Sequence, residues 1–336
     1  MEVWHTPKLQ KEFAPFRLHK KYIGHYDAVC TANWSNDSKF IITGSLDGTS
    51  KIYSLEQIPN FIPSTFTGLS EKVVTAFFGK TNTEAFTLNK RGAFVQWKWK
   101  TIEQQKKEKD EQKKKDDDPF YVPDPESDSE IEARIGDDLL MPGKGTWTLA
   151  KKSIISVEQK ATITSCAVLG NDLLVLGFSI GIFGIYTLPD LNVIHTLSVA
   201  KSKINSVAIN PSGEWIAFGS SEFGQLLVWE WKSETYILKQ QGHSLDMSCV
   251  AFSPNGQLLA TGGDDGKVKI WNTSNGFCFV TFSEHTAPIT SIAFASNGLS
   301  VFTSSLDGTI RAFDLIRYRN YRTMHASTSS FQLLCG

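Results

Sequence analysis

The sequence predicts an all-β protein of four-stranded sheets stacked side by side, and three observations carry that reading. A unit of about 42 residues recurs along the chain, each copy holds short apolar runs bounded by Gly, Asn, Asp, Ser or Pro, and most copies close a run with an aromatic residue. Length alone would suggest about two domains for 336 residues, but a repeat at this period overrides that expectation.

The clearest copy starts at Gly242-His243, continues through Cys249-Val250-Ala251-Phe252-Ser253-Pro254-Asn255-Gly256 and Leu259-Ala260-Thr261-Gly262-Gly263-Asp264-Asp265-Gly266, and ends at Val268-Lys269-Ile270-Trp271-Asn272. That is a complete WD pattern. The next copy carries His285, Ile292-Ala293-Phe294, Thr303-Ser304-Ser305-Leu306-Asp307-Gly308 and Ile310 to Asp314, and the copy before it ends at Trp229. Weaker copies keep the register at His25 to Tyr53, at Val73 to Trp97 and at Ile163 to Tyr186. Six units are therefore expected. Asp-Gly marks a tight turn between two strands, and a four-stranded blade buries both faces only by stacking on neighbours around a channel. The predicted fold is a WD40 β-propeller arrangement of six blades in an incomplete arc.

His243, Thr261, Asp265 and Trp271 fall where WD blades use a hydrogen-bonded brace. His285, Thr303 and Asp307, and His25, Thr43 and Asp47, repeat three of those four positions. An active site rarely needs to be built three times, so the repeated His and Asp are read as structural. No Gly-x-Ser-x-Gly, His-Glu-x-x-His or phosphate-binding loop appears, and the protein is expected to be no enzyme and to need no cofactor. The five cysteines are odd in number and form no CxxC pair, which suggests neither a disulfide framework nor a metal site. Cys30, Cys166 and Cys249 lie in equivalent strands and read as packing residues.

The ends of the chain and one insertion break the pattern. Val3 to His5 and Arg17 to Ile23 read as the last two strands of a preceding blade within 1–23, and Arg317 to Met324 as an outer strand opening a further repeat within 317–336. The chain is thus expected to be a fragment or truncated product, with apolar inter-blade faces left in water. Between Trp97 and Tyr186 the spacing is roughly one repeat plus an insertion of similar length. The pairs of blades are accordingly placed at 24–99, 146–239 and 240–316, with 100–145 as a charged insertion that composition marks as disordered. Lys100 to Asp138 holds eight basic and fourteen acidic residues, a net of -6, which leaves the rest at +5 within a total of -1. Ser127 and Ser129 each have an acid three residues on, a pattern that acid-directed kinases accept. No run approaches the ~18 apolar residues of a membrane span.

From about Ile180 onward the likeness becomes specific. Ala208 to Gly219 followed by Gly224 to Trp231, then Leu238 to His243, Gly276 to Phe282 and Asp307 to Thr323, closely resemble the periodic tryptophan protein 2 family of nucleolar WD-repeat proteins. The resemblance implies two tandem seven-bladed propellers with a junction near Lys239, and a helical C-terminal domain. It also implies a scaffold role in ribosomal RNA processing and small-subunit biogenesis, with U3 snoRNA, pre-ribosomal RNA and other WD-repeat processome proteins as partners in the nucleolus. Read from the residues alone, a WD adaptor in a vesicle coat or signalling complex is the alternative. Arg311, Arg317, Tyr318, Arg319, Tyr321 and Arg322 form the one notable basic and aromatic cluster, and all but Arg311 are the expected RNA contacts.

Overall fold

The computed structural model describes residues 1–5, 17–56, 63–107, 145–155, 161–170, 172–199, 202–221 and 224–325. The first two strands, Glu2–His5 and Arg17–Lys21, pair as an antiparallel hairpin. Six four-stranded sheets follow, each running inner to outer in chain order with antiparallel neighbours. Their inner strands are Val29–Trp34, Val73–Phe78, Ile163–Leu169, Ile204–Ile209, Met247–Phe252 and Ile289–Phe294. Short runs of apolar and β-branched residues supply the strands, and consecutive antiparallel pairing follows from the short turns between them.

Burial is concentrated between blades. Five apolar clusters each join two consecutive sheets, from Phe40, Ile42 and Ile52 against Val73, Ala76 and Val95 at one end to Cys249, Ala260 and Ile270 against Ile289, Val301 and Phe313 at the other. Among the described residues none of the five joins the sixth blade to the first. The second to fifth sheets are thus sandwiched, and their second and third strands, apolar on both faces, are the most buried.

One glycine position sets how closely the blades approach. A Cβ at Gly262 would lie 2.7 Å from Ile289 Cγ2, and one at Gly44 would lie 2.5 Å from Val73 Cγ1. Ile289 and Val73 open the next inner strand and are almost wholly buried. The bare backbone at these glycines therefore leaves room for the neighbouring blade's first side chain. Just beyond that residue every inner strand has a register shift, for example between Met247 and Cys249 and between Ile289 and Ser291. A shift of this kind increases local twist, which suits sheets that must fan out around an axis.

Three expectations are corrected. Gly145–Ile154 pairs with Ala93–Thr101 and completes the second blade, so the charged stretch is inserted between the third and fourth strands of one blade and does not separate two pairs of blades. Sequence spacing hid this, because a long insertion can enter a blade at any turn. The described start of the insertion, 102–107, is a short helix. Arg319–His325 pairs with Thr309–Asp314 as the outer strand of the sixth blade, and so finishes a sheet where the opening of another had been expected. Finally, packing continues across Lys239: Ala217, Leu226 and Val228 of the fourth blade meet Met247, Val250 and Leu259 of the fifth as at other interfaces, so the expected junction leaves no break.

Because each interface is shared, truncating one side chain should weaken two sheets. Phe218, fully buried between the third and fourth blades, tests this: Phe218→Ala should cost about 3–5 kcal/mol, read from the shift of the urea unfolding midpoint.

Candidate functional site: three buried histidine braces

The Asp-Gly turn between the second and third strands of the fifth blade lies beside the loop that enters the blade, and this brings His243 to Asp265 and Thr261. The imidazole Nδ1 stands 3.0 Å from Asp265 Oδ1, and Nε2 stands 2.9 Å from Thr261 Oγ1. Trp271, at the end of the third strand, donates its Nε1–H to the same Thr261 Oγ1 at 2.9 Å. A carboxylate only accepts, so Nδ1 carries the proton; Nε2 then accepts from the threonine hydroxyl, whose oxygen accepts from the indole. Every hydrogen in the chain Trp271 to Thr261 to His243 to Asp265 is committed.

The sixth and first blades repeat the geometry. His285 meets Asp307 Oδ2 at 2.8 Å and Thr303 Oγ1 at 2.8 Å, and His25 meets Asp47 Oδ2 at 3.1 Å and Thr43 Oγ1 at 2.7 Å. Phe313 and Tyr53 stand where Trp271 does, so these two braces lack the indole donor. Thr309 and Thr49 donate hydroxyls to Asp307 and Asp47 instead.

One related bond escaped the sequence reading. Trp97 Nε1 donates to Thr87 Oγ1 at 3.0 Å in the second blade, with the same ten-residue separation as Trp271 and Thr261. That spacing is the signal that would have found it. In the fourth blade Phe218 occupies the threonine's register position, so the Trp229 indole has no hydroxyl acceptor and packs against the edge-on Phe183 ring, centroids 5.5 Å apart.

Burial pushes the pKa of all three histidines down, against the opposing pull of Asp265, Asp307 and Asp47. Burial would also disfavour the charged aspartates, but hydrogen bonds win. The hydroxyl and N–H of Thr49 with the N–H of Tyr26 hold Asp47 well below the usual range, the hydroxyl and N–H of Thr309 with His285 do so for Asp307, and His243 with the N–H groups of Lys267 and Ser244 lower Asp265. A neutral imidazole against a charged carboxylate is the resting state. The His243 and His285 side chains are essentially inaccessible and their nitrogens are occupied, so the arrangement has no free base or acid to offer a substrate. Among the described residues no group of three or more His, Cys, Asp or Glu is placed to hold a metal ion. Burial pushes the Cys249 thiol up to about 12, which keeps it protonated and unreactive.

The expected RNA contacts differ in exposure. Arg317, Tyr318 and Arg319 are exposed, whereas Tyr321 and Arg322 are partly covered and the Arg322 Nε is buried. Arg311 Nε is buried as well. Ser127 and Ser129 lie outside the described residues.

The WD domain, G-beta repeat family model matches residues 16–54, 191–229, 234–272 and 276–314. The chain is similar to the periodic tryptophan protein 2 homolog of Mus musculus, 43% identical over 96% of this chain and 36% of the relative. It is also similar to periodic tryptophan protein 2 of Saccharomyces cerevisiae, 40% identical over 100% of the chain and 34% of the relative, and to that of Arabidopsis thaliana, 35% identical over 98% and 40%. The chain thus spans between a third and two fifths of these relatives' length.

The braces make two tests. Thr261→Val keeps the shape but strands both the Trp271 donor and the His243 acceptor, so it should cost roughly 2–4 kcal/mol, whereas Thr303→Val strands His285 alone and should cost about half as much in the same denaturant assay. The pH dependence has a fixed sign. The histidines stay neutral in the fold but take up a proton in the unfolded chain below the ordinary value of 6.5, so stability should fall as pH drops from about 7 to 5; the depressed aspartates add a further loss below about 4. His285→Asn should flatten the first part of that slope, measured as unfolding midpoint against pH.

Proposed function

Since the chain belongs to the periodic tryptophan protein 2 family, we propose that it serves as a non-catalytic WD-repeat scaffold in ribosomal RNA processing and small-subunit biogenesis, working in the nucleolus. The supporting observation is the state of its three His–Asp pairs, each buried and fully hydrogen-bonded. They stiffen the turns that carry the loops and leave those loops free to meet partners. Other WD-repeat processome proteins are the direct partners in this reading. U3 snoRNA and pre-ribosomal RNA are reached in part through them. The charged insertion inside the second blade would carry regulation, with Ser127 and Ser129 as phosphate acceptors.

The test is affinity purification of the full-length protein from growing cells with sequencing of the bound RNA. U3 snoRNA and early pre-ribosomal RNA should be enriched at least about tenfold over a control WD protein, with salt-sensitive recovery. Purification of an adaptor complex without either RNA would refute the reading.

A further inference from the structure

The turns between first and second strands and between third and fourth strands share one end of each antiparallel blade. At that end the fifth and sixth blades expose five large apolar side chains together: Phe277 at 67%, Ile316 at 63%, Tyr318 at 53%, Leu299 at 42% and Phe279 at 37%. Contacts tie four of them in pairs, and Phe277 lies two residues before Phe279 in the same chain segment. The Phe279 and Tyr318 rings meet edge-on with centroids 6.0 Å apart, and the Leu299 carbonyl accepts the Leu315 N–H at 3.0 Å, which sets Leu299 beside Ile316. Arg317 and Arg319 alternate with Ile316 and Tyr318 and are exposed.

The backbone under the patch is fixed. Asp314 is buried and accepts the N–H groups of Ile316 at 2.8 Å and Arg317 at 3.3 Å, and Asn275 accepts that of Phe277 at 2.9 Å. Tyr318 sits at φ +52°, where the fifth blade has Gly276 at +69°. An aromatic residue held in this conformation costs local strain, yet places its ring outward beside Phe279. Contiguous apolar exposure on a rigid turn, with aromatics and arginines, is the composition of a protein contact.

We propose that this end of the fifth and sixth blades is a docking surface for a protein segment that presents an aliphatic or aromatic side chain flanked by carboxylates. The apolar anchor would cover Phe277, Ile316 and Tyr318, and the flanking acids would meet Arg317 and Arg319. Single-stranded RNA fits less well. Leu299 and Ile316 offer no face for stacking, and Phe279 and Tyr318 stand at 74° to each other, so the rings make no continuous platform for bases. The inference goes beyond the ribosome-assembly reading, because the chemistry of the docked segment is the same whichever assembly it belongs to.

The experiment places the photo-crosslinker p-benzoylphenylalanine at position 277 of the full-length protein in cells, with position 26, exposed on an entry loop, as control. Crosslinked peptides are sequenced. The expected product joins position 277 to a protein segment carrying Asp or Glu beside an apolar residue. Its yield should fall about tenfold in R317E/R319E and be retained in R317K/R319K. R317Q/R319Q serves in place of the reversal if thermal unfolding shows that the reversed protein does not fold. Crosslinks only to RNA, to a neutral or basic segment, or to nothing overturn the proposal, as does a product insensitive to the charge change or equally formed at position 26. Failure of U3 enrichment would leave an acidic-segment crosslink standing, and loss of the crosslink would leave U3 enrichment standing.

Discussion

A four-stranded antiparallel sheet whose middle strands are apolar on both faces cannot stand in water alone, and the rest of this structure follows from that constraint. Each blade must be covered twice. The repeat supplies the cover by placing Val73, Ile204, Met247 or Ile289 at the start of an inner strand, against a glycine of the preceding blade. Since packing density leaves no slack for a methyl group there, the glycine fixes the distance between blades and the large side chains fill what remains. The same sharing makes stability a matter of neighbours, as in other stacked repeats.

The histidine braces act within that frame and do not create it. Among the described residues three of the six blades carry one, and the second and fourth hold their aromatic residues in other ways: Trp97 on Thr87, and Trp229 against Phe183. What the braces add is a fixed loop. With His243 neutral and Asp265 charged, the entry loop and the Asp-Gly turn become one hydrogen-bonded unit, and Gly266 takes the left-handed φ of +70° that the turn requires. Loops held in this way are suited to recognition. The chemistry that His and Asp so often perform elsewhere is used up in holding them.

Much of this was legible in the residues. The separations of 22 and 18 between His and Asp and between His and Thr recur in the first, fifth and sixth blades, and that recurrence identified the brace. The fourth strand of the second blade was misplaced because spacing alone cannot say at which turn an insertion enters. The packing across Lys239 was missed because resemblance set the boundary there, while local patterning in Leu226 to Trp229 and Met247 to Phe252 differs little from other interfaces. The rim patch was invisible for a different reason. Phe277, Phe279, Leu299, Ile316 and Tyr318 look like ordinary strand and turn residues until the fold gathers them at one end of two blades.

The account's central claim is that neighbouring blades are stabilised as a shared unit, and hydrogen exchange measures this most directly. Ile270 lies in the cluster between the fifth and sixth blades. In an Ile270→Ala protein, amide exchange read by mass spectrometry should quicken in Ile289–Phe294 and Ser300–Ser305 as well as in Met247–Phe252 and Leu258–Gly263, with the first blade unchanged. Faster exchange confined to the fifth blade would contradict the account.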